Sequence, residues 1–348
     1  PRLVSSAASD VYKRQIPIFQ PTVEEAVRGN PAALLLVEFA EEDMAENERR
    51  LRQLHEMMGD LGFGWDKGTA WRGGVVDAID PGMQGRIAEW RKSGLNIMMS
   101  EKSEAKPVSF LEDCAVELKD LAEYTDKLTA IFDRNGVKGT WYAHASVGCL
   151  HVRPVLNMKQ ACGAETMRAI AEEAFELVRF FGGSHSGEHG DGIVRSEFND
   201  RMFGPVLPDL FRQVKAMFDP QGMFNPGKIT DAPKMDDREL FRFAPGYEAE
   251  DFDSVLDWAA WPGAAGGFQG AVEMCNNNGA CRKLTGGVMC PSYRATRNER
   301  DVVRGRANSL RLAMSGQLGP GAMASDEMAE TMKLCVSCKA CKLSLIHI

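Results

Sequence analysis

Between Ile16 and Phe243 the apolar positions switch between a spacing of two and a spacing of three to four, which predicts strands interleaved with helices. The run Ala33 to Phe39 predicts a buried strand, and Glu42 to Met58, rich in Glu, Arg and Leu, predicts a helix. A second helix is predicted around Gly82 to Lys92, and a long one from Ser109 to Phe132, where Ser109 followed by Glu112 has capping-box spacing. Two strands, Gly139 to Ala145 and Cys149 to Leu156, precede a helix from Ala164 to Phe181 that Gly182-Gly183 ends. A short strand then leads into a glycine-rich loop. The order β-α-β-β-α-β predicts an α+β fold built on a ferredoxin-like split βαβ sheet with inserted helices.

The pattern loosens after Phe243. Pro245-Gly246 and the stretch Pro262 to Gly267 punctuate an acidic connector, read as a linker over 244–270. Beyond it a mainly helical domain over 271–342 holds a helix-like stretch, Asn298 to Met314, among clustered cysteines. The chain opens at Pro1, and its first Met is Met44. Residues Val4 to Gln15 and Leu343 to Ile348 resemble sequencing read-through, so 1–15 and 343–348 are expected to be non-native flanks around a piece of a longer protein.

Composition narrows the function. With 44% hydrophobic and 26% charged residues the chain is globular, and a net charge of −8 without a basic run opposes nucleic-acid binding. The longest apolar run, Ala32 to Val37, is far shorter than the roughly 20 residues of a transmembrane helix. A soluble, cytoplasmic protein is expected, with peripheral attachment to the inner face of a membrane left open. Of nine Cys, six follow residue 274 in close groups, a distribution that favours metal binding over disulfides.

Three constellations carry candidate chemistry. His144 and His151 sit symmetrically about Val147-Gly148; if those two residues are the centre of a hairpin turn, the imidazoles oppose each other across the strands and can chelate one divalent ion. Glu188 can add a carboxylate, leaving positions open for substrate oxygens. The plain alternative is two strand histidines making ordinary hydrogen bonds. The second constellation is the loop Gly187 to Gly192, whose Gly187, Gly190 and Gly192 let the backbone turn sharply and approach a ligand. Its adjacent Glu188 and His189 face opposite sides in an extended segment; a turn with two solvated polar residues is the simpler account. The third is Cys335, Cys338 and Cys341 with Cys290-Pro291 upstream, the spacing of [4Fe–4S] ligands. Cys275 and Cys281 then read as part of a second set or as free thiols, and a zinc knuckle competes for the CxxCxxC run.

Gly139 to Pro154, Gly187 to Gly192 and Phe218 to Ile229, in that order, resemble the C-terminal half of FAD-linked oxidases of the vanillyl-alcohol-oxidase type. D-lactate, glycolate and D-2-hydroxyglutarate dehydrogenases belong to that family. The resemblance covers about residues 16 to 230 and implies a substrate (cap) domain over 16–243. It further implies a divalent metal, Zn or Mn, on His144, His151 and Glu188, with His189 as general base. Arg91 and Lys106 match positions that bind substrate carboxylates, although both also read as surface charge. The family often has Asn where this chain has Arg153, an extra cation that suits an acidic substrate. Asn225, with Gly190 and Gly192, is expected near the flavin, or as a turn that ends the domain.

Asn278 to Arg282, Met289 to Glu299 and Arg304 to Arg311 resemble the bridge of large bacterial flavin/iron–sulfur fusions. There Arg294, Arg297, Arg304 and Arg306 either balance cluster charge or cap and solvate a helix. Together these features imply oxidation of a D-2-hydroxy acid, D-2-hydroxyglutarate before D-lactate, with hydride passing to FAD. Electrons would leave through [4Fe–4S] clusters to a quinone or redox protein. The rival expectation is an electron-transfer subunit of a glycerol-3-phosphate or glycolate dehydrogenase-like complex. The piece alone is expected to be inactive, because its FAD-binding domain lies elsewhere.

Overall fold

The computed structural model describes residues 2–3, 19–29, 31, 33–65, 71–99, 103–249, 255–261, 267–285 and 290–341. Residues 4–15 and 343–348, expected as flanks, lie outside the described residues. In chain order the elements are β1 (Arg2–Leu3), α1 (Gln20–Ala26), β2 (Val37–Glu38), α2 (Met44–Asp60), β3 (Phe63–Gly64), β4 (Trp71–Arg72) and α3 (Pro81–Met99). There follow β5 (Lys106–Pro107), β6 (Cys114–Ala115), α4 (Leu121–Arg134), β7 (Gly139–His144), β8 (Cys149–Leu156), α5 (Ala161–Phe180), α6 (Asn199–Phe203) and α7 (Val206–Phe218). The last four helices are α8 (Gly267–Glu273), α9 (Pro291–Thr296), α10 (Val303–Met314) and α11 (Asp326–Lys333).

These elements fall into two compact units. One takes the described residues within Pro1–Asp10, Glu24–Gln84 and Ala105–Pro245; the other takes those within Val11–Val23, Gly85–Glu104 and Gly246–Ile348.

The first unit is organised by β8. It pairs antiparallel with β7 on one side, and on the other with β5 at one end and β6 at the other. Ser184 bridges Ala115, so that segment lies beyond β6. The helices α4 and α5 lay their apolar stripes on one face of this sheet. Tyr124, Leu128, Ile131 and Phe132 of α4 and Met167, Ile170, Ala174 and Val178 of α5 are buried with Leu150, Val152 and Leu156 of β8. Burying each such side chain contributes about 1.5–3 kcal/mol, so the even-numbered positions of β8 are committed to the core. Its odd positions Cys149, His151 and Arg153 therefore face the other way, as do their partners His144, Tyr142 and Thr140 on β7.

Several boundaries depart from the sequence pattern. The helix expected from Ser109 begins only at Leu121. Residues 109–120 instead form a turn, β6 and a short 3-10 turn, because Asp113 adopts a left-handed conformation with φ 85°. The expected capping box is not built: Glu112 turns its carboxylate onto Arg153. The buried strand expected at 33–39 shrinks to Val37–Glu38, and Leu35 is exposed. In contrast α2, capped by Asp43, and α5, ended by Gly182 at φ 62°, lie within a few residues of expectation.

The β7–β8 connection also differs. His144 pairs with Cys149 and Tyr142 with His151, so the two histidines are diagonal rather than opposed. The loop is four residues, 145–148, closed by Gly148 at φ 68°. A Cβ there would lie 1.9 Å from the Val116 carbonyl oxygen, which accounts for glycine at that position.

The described residues of the second unit form helices and turns, with Cys281, Cys290 and Val302 packed in one small apolar cluster. Among the described residues no helix is long and apolar enough to cross a membrane.

Candidate functional site

On the face of β8 turned away from α4 and α5, three imidazoles converge on one carboxylate oxygen. Glu188 Oε1 lies 3.0 Å from His151 Nε2, 3.2 Å from His189 Nε2 and 3.5 Å from His144 Nε2. The diagonal register brings the His144 and His151 ring centroids to 5.1 Å, and His189 stacks on His151 at 5.0 Å. All four candidate residues on β7, β8 and the glycine-rich loop are thus brought together. The rings differ in access: the side chain of His151 is 6% exposed and that of His189 52%.

The loop is held in place by Asp113, whose carboxylate is fully buried. It accepts the backbone N–H of Glu188 at 2.8 Å and of His189 at 2.7 Å, with the Ser186 hydroxyl at 3.4 Å. Burial alone would raise its pKa, but the His189 and Glu188 N–H groups prevail and hold it below the usual carboxylate range. Gly187 must pass close beneath this anchor, for a Cβ there would meet the Asp113 carbonyl oxygen at 3.0 Å. Arg195 adds a second clamp through the carbonyls of Gly190 and Glu112. Gly190 and Gly192 take φ 78° and 60°, conformations that favour glycine.

Glu112 binds Arg153 at 2.6 and 3.1 Å, and its Oε1 is also 3.8 Å from Nδ1 of both His151 and His189. Burial opposes its charge, but the Arg153 guanidinium keeps its carboxyl low. Burial likewise pushes the His151 imidazole down toward its neutral, ligating form, against the pull of Glu112 and Glu188. The Arg153 guanidinium, expected as an extra cation for an acidic substrate, is paired with Glu112.

These donors suit a divalent metal. Two neutral imidazoles and one carboxylate are the set that takes Zn or a similar ion while leaving positions open. Asp113, His151, Glu188 and His189 offer atoms within 4.8 Å of one another. Asp113 is nevertheless the loop's anchor, since both its oxygens already accept backbone N–H groups. His144, 3.5 Å from Glu188, completes the set better. Nδ1 of His151 is buried without a hydrogen-bond partner among the described residues, and Glu112 is the carboxylate beside it, the usual kind of support for a metal-bound imidazole.

The remaining candidates are more scattered. Lys106 pairs with Leu156, on the core-facing side of β8 and five residues from His151. At about 3.3 Å per residue that is roughly 17 Å along the strand, so Lys106 is not brought to the cluster. Arg91 lies on α3, in the other unit. Asn225 is exposed in a left-handed turn at φ 46°. That turn is tied to the loop, because the Ser196 hydroxyl donates to the Gly192 carbonyl and accepts the Ile229 N–H at 3.0 Å. Sequence reasoning missed Glu112, Asp113, Arg195 and Ser196; only the adjacent acids Glu112-Asp113 left a trace, inside a stretch patterned like a helix.

None of the six cysteines of the second unit is in a disulfide. Cys335, Cys338 and Cys341 are exposed along a loop in which Ser337 and Lys339 take φ 50° and 63°, coiling the backbone between them. Cys290 is buried at the start of α9, and the Ser292 hydroxyl donates to the Leu334 carbonyl, drawing Cys290 and Cys335 to the same end of the unit. Burial would raise the Cys290 thiol, but the Tyr293 N–H, Arg306 and Ser292 hold it below the usual range, as a thiolate ligand requires. Cys281 is buried and pushed up; Cys275 is half-buried, within 3.9 Å of Asn308 Nδ2.

Comparison with known proteins bears on both sites. Residues 2–229 match the family of FAD linked oxidases, C-terminal domain, and residues 271–344 match the 4Fe-4S dicluster domain. The chain is 32% identical over 284 residues to the D-2-hydroxyglutarate dehydrogenase of Pantoea ananatis, covering 80% of this chain and 26% of that protein. It is 35% identical over 228 residues to the protein of that name from Pseudomonas putida, covering 65% of this chain and 22% of the relative. With the Escherichia coli protein of that name it shares 33% over 284 residues, again 80% and 26%. The chain thus spans about a quarter of the length of the curated relatives it matches.

Proposed function

The chain belongs to the FAD-linked oxidases, and we propose that it supplies the substrate site and the electron exit of a D-2-hydroxy-acid dehydrogenase. The observation that carries this reading is the convergence of His144, His151 and His189 on Glu188, in one chain with a 4Fe-4S dicluster domain. When bound, a divalent metal on His144, His151 and Glu188 would polarise the substrate oxygens, FAD would take the hydride, and the clusters would carry electrons onward. His189, the most open of the rings, takes the hydroxyl proton as C2 loses its hydride, leaving the 2-oxo acid. Asp113 keeps His189 and Glu188 in register through their backbone N–H groups.

D-2-hydroxyglutarate is the favoured substrate, supported by the names of the three relatives, with D-lactate next. Arg91 and Lys106 as carboxylate binders rest on the resemblance. Asn225, Gly190 and Gly192 are assigned to the flavin's side of the site, supported by the Ser196 link between loop and turn. The substrate domain is read as ferredoxin-like, which the neighbour order Ser184, β6, β8, β7 supports. Domain limits of 16–243 and 271–342, joined by a linker, complete the proposal. The final acceptor is a quinone or a redox protein.

Anaerobic bleaching of the flavin in the full-length gene product tests this, with D-2-hydroxyglutarate, D-lactate and their L enantiomers offered separately. Fast bleaching by one D acid is expected. No bleaching by any, with clusters still reduced by dithionite, would favour an electron-transfer subunit instead.

A further inference from the structure

Among the arginines around the second unit's cysteines, Arg306 stands apart. Arg304 directs its guanidinium to Glu299 at 2.9 Å and to the Asn277 carbonyl at 3.4 Å. Arg306 is only 7% exposed, donates from Nε to the Thr331 carbonyl at 3.2 Å, and places Nη1 3.4 Å from Cys290 Sγ. Its Nη2 is buried and has no hydrogen-bond partner among the described residues. A buried guanidinium with an unused donor, on the same planar fork that touches a cysteine sulfur, is costly unless an acceptor arrives. As a thiol, Cys290 donates to the Asp301 carbonyl at 3.2 Å; as a cluster ligand it has no proton to donate, and its sulfur becomes an acceptor. The acceptors that then appear beside Arg306 are the Cys290 thiolate and the inorganic sulfides of the cluster it ligates.

We propose that Arg306 sets the reduction potential of the cluster held by Cys290, through hydrogen bonds and charge delivered to its sulfurs. The inference rests on Cys290 being a cluster ligand. Reduction adds one electron, and so one negative charge, to the cluster without moving a proton in this account. A cation in a dry site favours the reduced form over the oxidised one, which raises the potential, and hydrogen bonds to the sulfurs act in the same direction. Arg306 is thus a positioning and tuning residue, not a ligand.

The test is an anaerobic redox titration of the holoprotein followed by electron paramagnetic resonance, with iron content measured first. In iron-replete R306M the midpoint of one cluster falls, and the other is unmoved. The expected size is about tenfold in the reduction equilibrium, roughly 59 mV for one electron. In R306K, which keeps the charge but not the fork, the fall is smaller. Unchanged midpoints in iron-replete R306M overturn the proposal. If R306M loses a cluster, R306K decides: a lowered midpoint with iron retained supports the proposal. An unchanged midpoint, or cluster loss from this charge-conserving variant too, reduces Arg306 to a packing role. The ligand assignment is tested separately, since a C290A protein that keeps both cluster signals unaltered removes Cys290 as a ligand whatever Arg306 does.

Discussion

His151 and His189 stack ring on ring, yet one is buried and the other half open, and that difference in access is what the proposed roles of ligand and base rest on. The expected outcome of His151→Asn is loss of bound metal. His189→Asn keeps the metal but slows substrate-driven flavin reduction by about a hundred- to ten-thousand-fold, the usual range for a missing acid–base group. Metal analysis and stopped-flow absorbance on the same two holoprotein preparations check the split, and the reverse pattern would exchange the roles. These residues were legible because spacing and glycines mark them. Glu112 and Asp113 were not. Their neighbours Ser109, Phe110 and Leu111 imitate the start of a helix, and the left-handed turn at Asp113 is stabilised by N–H groups some seventy-five residues away. No local pattern encodes a partner at that distance.

Among the elements, the β7–β8 hairpin makes the sharpest demand on one residue. Gly148→Ala imposes both a left-handed alanine and a collision with the Val116 carbonyl, whereas Gly190→Ala, at φ 78° with open space around it, imposes the conformation alone. A left-handed non-glycine residue costs about 1–3 kcal/mol, so G190A should lose that much stability and G148A clearly more, as read from urea midpoints. The turn after α7 offers a pH test. Lys215, with the N–H groups of Phe224 and Met223, lowers the Asp219 carboxyl to about 2. A folded pKa below the ordinary value of about 3.9 contributes stability that is fully present above it and is lost as pH falls toward 2. D219N should therefore flatten the fall in unfolding midpoint between about pH 4 and 2; an unchanged slope would show that the charge contributes nothing. The strands β7 and β8 and the helix α5 were readable because period and punctuation agree with the core they build. The periodicity of α7 is equally plain, but Leu210, Val214 and Phe218 are exposed, Phe218 by 80%. An apolar stripe tells that a helix is amphipathic, not what covers it.

Across the whole molecule, the two compact units carry different chemistry: the histidine cluster belongs to one and the clustered cysteines to the other. The sequence changes pattern near Phe243, because a connector rich in proline and glycine cannot continue a packed sheet, but nothing in its pattern marks Gly85–Glu104 as part of the second unit. Register and diagonal contacts were not visible, since the symmetry of His144 and His151 about Val147-Gly148 suggests a two-residue turn, while Gly148 closes a loop of four.

Within the second unit, Cys335, Cys338 and Cys341 are exposed whereas Cys281 and Cys290 are buried. Oxidants reach thiols according to exposure and thiolate character, so damage in air should be uneven. Timed alkylation with mass spectrometry, on protein handled aerobically, is expected to find the three exposed sulfurs oxidised while Cys281 and Cys290 still survive unmodified. A preparation that has faded from brown in air would then retain a half-nest, with the buried sulfurs intact and the exposed arm spoiled. Added iron and sulfide would rebuild such a preparation only after a reductant had repaired that arm, so the exposed sulfurs make oxygen during purification a limit on how much of this protein can be recovered with its clusters.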